Sequence, residues 1–416
     1  MDPFQCHSDR FLPSDPFSDD AAHAGPWTAP LDQTQPQTRA GICGVQGAAR
    51  LALEDLAFEF IQEAHAWCMQ DRSVVDSTRS SCDMLPPSLA LFPTPLRIRP
   101  PITTKAISEQ SPKQKRKCEP VRRAAAHVQV MAIAHRLTAT ATKDDTWATV
   151  TRRAVYYCDP ALFGSQRIVD VAVNSIASTL VHRLGLDAGE CISAYGALAL
   201  GILPGSRSIA IGNAIVDLVP RSRSDPDTTT DLAAVGSLGA LLPSPAIVAG
   251  IHLAPGIGYL LVVEKETVFA HLAALRLVQR TVPMRGILVT SKGFPDTASR
   301  GFIQAACAAA SSGLRVCIVA DGDPYGVHIA LQYLDTLGPH SDRAVYAGVT
   351  THHLTALVST MHAGVLPMTN RDRVRARNLL RRPECWSRPE LRRVLQTMMH
   401  LNAKVEVEAL GDLVVG

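Results

Sequence analysis

Leu314-Arg315-Val316-Cys317-Ile318-Val319-Ala320-Asp321-Gly322-Asp323-Pro324-Tyr325-Gly326 reads as a short strand, a tight acidic turn and the start of a helix. The apolar run ends at two aspartates spaced i, i+2. Pro324 suits a first helical position, where its missing N–H is not needed. Outward from this stretch the same alternation repeats, with strands at 259–263, 286–290 and 314–320 and helices at 267–278, 297–311 and 325–337. A β-α-β-α-β-α series implies a parallel sheet with right-handed crossovers. The ligand site of such a sheet lies beyond the carboxyl ends of its strands. Glu264, Lys292, Asp321 and Asp323 all fall there.

Any one of these acids could serve as a helix cap, worth about 1 kcal/mol. Three of them on separate elements at one sheet edge point instead to oxygen ligands for a hard cation such as Mg²⁺. A second feature lies upstream, in Thr151-Arg152-Arg153-Ala154-Val155-Tyr156-Tyr157. A tyrosine pair is usually packing. Beside two arginines and a cation site, however, a phenol can attack phosphorus. Its ordinary pKa near ~10 means that a metal or nearby cations must stabilise the developing charge.

The segment that carries the tyrosines reads mainly as helices, at 121–137 and 166–184. The second has Ile168, Val169, Ala172, Val173, Ile176, Leu180 and Leu184 on one face and Gly185 as a stop. Residues 192–203 and 208–218 are short and apolar, separated by Pro204-Gly205, and are expected to form a hairpin-like wing. A small DNA-binding unit of winged-helix type fits this pattern. Further upstream, residues 48–69 carry a broad apolar face that includes Leu56, Phe60 and Trp67. Flexible, proline-broken stretches flank it, so this helix must cover its face with its own core or with a partner protein.

The chain has 416 residues, enough for two or three domains, and its net charge of +3 leaves nucleic-acid affinity to local patches. Two such patches stand out. One runs from Lys113 to Arg123, and the other places nine arginines between Arg371 and Arg393. In both, a solvated face competes with phosphate contact as the reading. Ten scattered cysteines without a C-x-x-C pair argue against zinc and fit reduced thiols inside a cell. The first forty residues are polar and proline-broken, so no signal peptide is expected. The longest apolar stretch, 246–263, contains His252, Pro255 and three glycines, which suits strands and turns rather than a membrane span. No phosphate-loop G-x-x-x-x-G-K-[ST] occurs, so ATP hydrolysis by this chain is not expected.

Taken together, Arg153-Ala154-Val155-Tyr156-Tyr157, Leu261-Val262-Val263-Glu264-Lys265-Glu266, Ser291-Lys292-Gly293-Phe294-Pro295-Asp296, Asp321-Gly322-Asp323-Pro324-Tyr325-Gly326 and Lys404-Val405-Glu406-Val407-Glu408-Ala409-Leu410 resemble one family in order and spacing. It is the family of meiotic double-strand-break transesterases, eukaryotic relatives of the topoisomerase VI A subunit. The resemblance runs from about residue 48 to the end. It implies a winged-helix (CAP-like) domain followed by a Toprim α/β domain with a Rossmann-like parallel sheet. It also implies that Tyr157 is the nucleophile with Arg153 in support, and that Glu264, Asp321 and Asp323 hold Mg²⁺. On the same grounds Arg152, Lys292 and Phe294 face DNA, and the helix with Leu56, Phe60 and Trp67 docks a topoisomerase VI B-like subunit. Ala154 stands where the family usually has an acid, and Ser291 where it usually has glycine.

The organisation expected on this basis is a disordered arm (1–45), a partner-docking helix (46–72), a flexible linker (73–120), the tyrosine-bearing winged-helix domain (121–220), a linker (221–245) and the Toprim domain with C-terminal helices (246–416). The expected function is Mg²⁺-dependent double-strand-break formation on duplex DNA in the nucleus, by a homodimer working with meiotic accessory proteins. A true topoisomerase VI A subunit that reseals its breaks with an ATPase partner is the alternative enzyme. A non-catalytic paralogue should have lost the tyrosine or a carboxylate, and this chain has lost neither.

Overall fold

The computed structural model describes residues 39–69, 112–143, 146–184, 192–222, 228–280, 285–310 and 313–411. A helical unit comes first, with α1 (Arg39–Met69), α2 (Pro112–Lys143), a two-residue strand β1 (Val150–Thr151), α3 (Arg152–Cys158), α4 (Pro160–Phe163), α5 (Gln166–Arg183), α6 (Ile192–Ala199) and β2 (Ile202–Leu203). In α5 the buried residues Val169, Ala172, Val173, Ile176, Ala177 and Leu180 recur at helical spacing. They pack with Leu53 and Leu56 of α1, Val130 and Ile133 of α2, and Val155 of α3 in one core. Each such aliphatic side chain, fully buried, contributes roughly 1.5–3 kcal/mol.

Four strands then lead into the second unit, namely β3 (Ile209–Gly212), β4 (Ala214–Leu218), β5 (Thr228–Asp231) and β6 (Ala240–Leu241). They are followed by β7 (Val248–Leu253), β8 (Ile257–Val263), α7 (Glu266–Ala274), α8 (Leu277–Arg280), β9 (Arg285–Thr290), α9 (Thr297–Ala309), β10 (Arg315–Val319), α10 (Pro324–Thr336) and β11 (Ala344–Gly348). The chain closes with α11 (Thr351–Ser359), β12 (Val365–Pro367), α12 (Asn370–Leu380), α13 (Pro383–Trp386), α14 (Pro389–Leu401) and β13 (Ala403–Val405), which pairs antiparallel with β12.

The main sheet runs β11-β10-β8-β9-β3-β6. Strands β11, β10, β8 and β9 are parallel, whereas β3 and β6 join antiparallel at one edge. Both faces of the sheet are covered. Leu260 and Val262 pack with Val327, Leu331 and Leu334 of α10, while Leu261 and Val263 lie with Phe269 and Ala273 of α7 on the opposite side. Burial on both faces is why these strands read as unbroken apolar runs.

Several expectations change. The helix read from residue 48 begins at Arg39, so the expected disordered arm ends before its limit, and its first 38 residues lie outside the described residues. Likewise α2 starts at Pro112, inside the stretch read as linker, and residues 70–111 lie outside the described residues. Gly185, read as the stop of α5, is also outside them; Leu184 is the C-cap. The hairpin-like wing does not form from residues 192–203 and 208–218. The first of these is helix α6 leading into β2, which pairs parallel with β1. The second divides between β3 in the main sheet and β4 in the three-stranded sheet β5-β4-β7. A short apolar run does not reveal its own period, so a buried helix there reads as a strand. Thr228–Asp231, expected in a linker, pairs with β4. The helix expected at 267–278 breaks into α7 and α8 at Arg276, whose φ is 53°. No helix among the described residues is long and apolar enough to cross a membrane.

Candidate active site

Strands β8 and β10 are hydrogen-bonded neighbours in register, Val263 opposite Val319, so the residues that follow them emerge side by side. The Glu264 N–H donates to the Val319 carbonyl at 3.0 Å, and the Asp321 N–H donates to Glu264 Oε2 at 2.9 Å. Asp323 is the N-cap of α10, its Oδ1 accepting from the Gly326 N–H at 2.7 Å. Gly326 is obligatory here, since a Cβ would lie 2.2 Å from the Asp321 carbonyl oxygen. Burial, reinforced by the charge of Asp321, pushes the Glu264 carboxyl up to about 7. Burial likewise lifts Asp321 to about 6 against the pull of the Val407 N–H and Lys265, and it raises Asp323. Three carboxylates brought to one partly buried sheet edge are an oxygen donor set suited to a hard divalent cation. As the side chains stand, no three His, Cys, Asp or Glu groups among the described residues are gathered tightly enough to enclose an ion.

The third wall of this edge is the C-terminal strand and turn. Gly322 and Val405 exchange backbone hydrogen bonds at 2.7 and 3.0 Å, and the Val407 N–H donates to Asp321 Oδ1 at 2.8 Å. Lys265, next in sequence to Glu264, reaches Glu408, Glu406 and Asp321 at 2.7, 3.1 and 3.3 Å. Burial works against its ammonium, but Glu408, Asp321 and Glu406 outweigh it and raise the lysine well above its ordinary pKa. Sequence reading does not single out Lys265, Glu406 or Glu408. The strand ends at Val405 and the chain turns into a single 3-10 turn at Val407–Ala409 with Glu406 at its start, and this turn brings both acids to Lys265.

The loop after β9 closes the same edge. The Gly293 N–H donates to the Glu264 carbonyl at 3.0 Å, and Lys292, in the left-handed region at φ 56°, pairs with Glu266 at 2.8 Å. Phe294 is half-buried and meets His328 edge-on at 5.2 Å. Arg375 stacks over Tyr325 at 4.2 Å. Sequence reading does not identify His328 or Arg375, which lie far apart in the chain.

Tyr157 sits on α3, whose start is capped by the Thr151 hydroxyl accepting from the Ala154 N–H. Val155 anchors the helix in the core and Tyr156 is half-buried against it, which leaves Tyr157 outward with 59% of its surface exposed. An Arg153 Nη donates to the Tyr157 hydroxyl at 3.3 Å, and the two tyrosine rings meet edge-to-face at 5.3 Å. These described contacts of Tyr157 lie within its own helix. Arg152 is engaged with Asp170 at 3.3 Å and Asn174 at 2.7 Å, contacts that position α3 on α5.

Of the three residues expected to dock a partner, Leu56 is a correction. It is 8% exposed and belongs to the chain's own helical core, because its side of α1 packs on α2. The side chains of Phe60 and Trp67 lie outside the described residues. Among the described residues, Leu51, Phe58 and Ile61 are the large apolar side chains that α1 exposes.

Comparison with known proteins agrees with this layout. Residues 259–415 match the Toprim-domain model of the topoisomerase 6 A-type/Spo11 proteins, and residues 122–182 match that of type IIB DNA topoisomerase. The meiotic recombination protein SPO11 of Mus musculus is 26% identical over 323 residues, covering 76% of this chain and 72% of the relative. The Homo sapiens protein of the same name is 24% identical over 326 residues, covering 75% and 71%. The A3 subunit of DNA topoisomerase 6 from Oryza sativa subsp. indica is 25% identical over 273 residues, covering 63% and 55%. With Tyr157 inside one matched segment and all three carboxylates inside the other, the chain belongs to the topoisomerase VI A/Spo11 family.

Proposed function

We propose that this protein forms DNA double-strand breaks in meiotic recombination, in the nucleus, by Mg²⁺-dependent transesterification. The observation that carries this reading is the pairing, in one chain, of an outward tyrosine with an arginine at its hydroxyl and of a half-buried edge of three carboxylates. Tyr157 Oη attacks a backbone phosphorus, the P–O3′ bond breaks, and the protein remains joined to the 5′ end through a phosphotyrosyl link. The new diester conserves the bond energy of the old one, so cleavage itself needs no ATP. Arg153 stabilises the phenolate as the proton leaves, and the proton ends on the departing 3′ oxygen. Glu264, Asp321 and Asp323 are the residues to hold Mg²⁺, which supplies charge stabilisation at the phosphate. Lys292 and Phe294 border the DNA path, and Arg152 keeps α3 in place.

One tyrosine cuts one strand, so a homodimer is required for a double-strand break. In this reading the phenol of one protomer works with the carboxylates of the other. A topoisomerase VI B-like subunit docks on α1 through the face of Leu51, Phe58 and Ile61, with meiotic accessory proteins completing the assembly.

The test is a cleavage assay on duplex DNA with Mg²⁺ and the B-type subunit present. Wild type and Tyr156→Phe yield covalent 5′-linked product, and Tyr157→Phe yields none. Product from Tyr157→Phe at wild-type level contradicts the assignment. The likeness to the rice protein named as a DNA topoisomerase 6 component favours strand rejoining as a second reading. Relaxed circles that reappear on ATP addition in that assay identify it.

A further inference from the structure

We propose that Lys265 is a positioning residue that sets the affinity of the carboxylate edge for its divalent cation, and that Glu406 and Glu408 hold it in that role. The inference rests on the reading of Glu264, Asp321 and Asp323 as the cation's ligands.

An ammonium has three N–H donors, and Lys265 has three carboxylate partners. The shortest contact is to Glu408 at 2.7 Å and the longest, 3.3 Å, to Asp321. Glu408 is itself fixed, since its other oxygen accepts from the Thr267 hydroxyl at 3.1 Å. The lysine is therefore drawn toward the C-terminal turn and only shields Asp321. On Asp321, Oδ1 takes both Lys265 and the Val407 N–H, and among the described contacts Oδ2 takes neither. That division leaves one oxygen of Asp321 for an ion. The Gly322–Val405 backbone pair locks the acidic turn and the C-terminal segment into a single unit, so the arrangement is built rather than incidental. A Cβ on Gly322 would come within 3.1 Å of the Val405 carbonyl and 3.0 Å of the Val349 side chain, so a larger residue there would have to push these neighbours back by a few tenths of an ångström.

Opposite changes in charge should then act in opposite directions. Without Glu406 and Glu408, Asp321 is the remaining partner of Lys265 and the ammonium competes with the cation. Without the Lys265 charge, the negative field at the edge is unrelieved and the cation binds more tightly.

The experiment titrates the full chain with Mn²⁺ and measures free ion by electron paramagnetic resonance. Glu406→Gln/Glu408→Gln is expected to weaken Mn²⁺ binding about tenfold and Lys265→Gln to strengthen it several-fold, as befits single charges a few ångströms from the site. Lys265→Arg, which keeps the charge, stays within about twofold of wild type. Glu408→Gln alone shifts affinity in the direction of the double variant, which guards against a double variant that folds poorly. Shifts in the same direction, or no shifts, on a wild type that binds Mn²⁺ overturn this inference alone. A wild type that takes up no Mn²⁺ overturns the ligand reading as well.

Discussion

Ser291, where the resemblance leads one to expect glycine, is fully buried and hydrogen-bonded on two sides. Its hydroxyl accepts from the Tyr333 phenol at 2.6 Å and lies 2.8 Å from that of Ser208, which in turn donates to Asp296 at 2.6 Å. One buried chain of hydrogen bonds thus ties α10, the loop after β9 and the start of β3 together. Ala154, the other departure, is exposed on α3, with its N–H on the Thr151 cap and its carbonyl accepting from the Cys158 thiol. His328 is the residue whose environment makes the sharpest pH prediction. It is buried, with Arg375 at 2.7 Å from Nδ1, Arg382 at 3.2 Å from Nε2, and the Phe294 ring on its side. Burial first, then the two guanidinium charges, push its pKa down to about 3. A neutral folded histidine against an unfolded one near ~6.5 gives stability that is complete above pH 6.5 and is lost as pH falls toward 3. By that difference, wild type should lose about 2 kcal/mol between pH 7 and pH 5 relative to His328→Gln. Urea unfolding of both proteins at the two pH values checks this, and identical losses contradict it.

At the scale of elements, what is legible in the sequence follows from period and length. Strands β8, β9 and β10 and helices α9 and α10 stand close to where the apolar runs place them, because each run is bounded by Gly, Pro or charge. The acidic edge is equally legible, since strand ends and helix caps put Glu264 and Asp321 together once the sheet is parallel. Strand β3 is not. Its pairing with β9 joins residues about eighty positions apart, and no local pattern encodes that. The C-terminal clamp escapes for the same reason, with Val407 meeting Asp321 across the fold. Helix α1 shows the limit of an apolar face read without its neighbours. Leu56 packs inward, whereas Leu51 and Phe58 are 64% and 61% exposed. Leu56→Ala should therefore destabilise the chain by about 2–5 kcal/mol. Leu51→Glu/Phe58→Glu should change stability by no more than about 0.5 kcal/mol yet weaken capture of the B-type subunit. Denaturant melts and pull-downs on the same preparations separate the two, and an unfolded Leu51/Phe58 variant contradicts the docking face.

For the whole molecule, the tyrosine helix and the carboxylate edge belong to different units, and the described contacts of Tyr157 lie within α3. The proposed sharing of an active site between protomers is tested with mixed dimers. Mixed dimers of Tyr157→Phe and Glu264→Ala chains contain one intact composite site and one that lacks both groups. Such dimers should nick one strand without breaking both, and each variant alone should do neither. Verified mixed dimers that leave DNA intact contradict sharing. The most direct measurement of the central claim is chemical. Protein trapped on DNA in the presence of Mg²⁺ and the B-type subunit is digested with protease and nuclease, and the nucleotide-bearing peptide is sequenced by mass spectrometry. The account predicts a 5′-phosphoryl nucleotide on Tyr157, within the peptide that also contains Val155 and Tyr156. A nucleotide found on Tyr156 or on any other residue contradicts it.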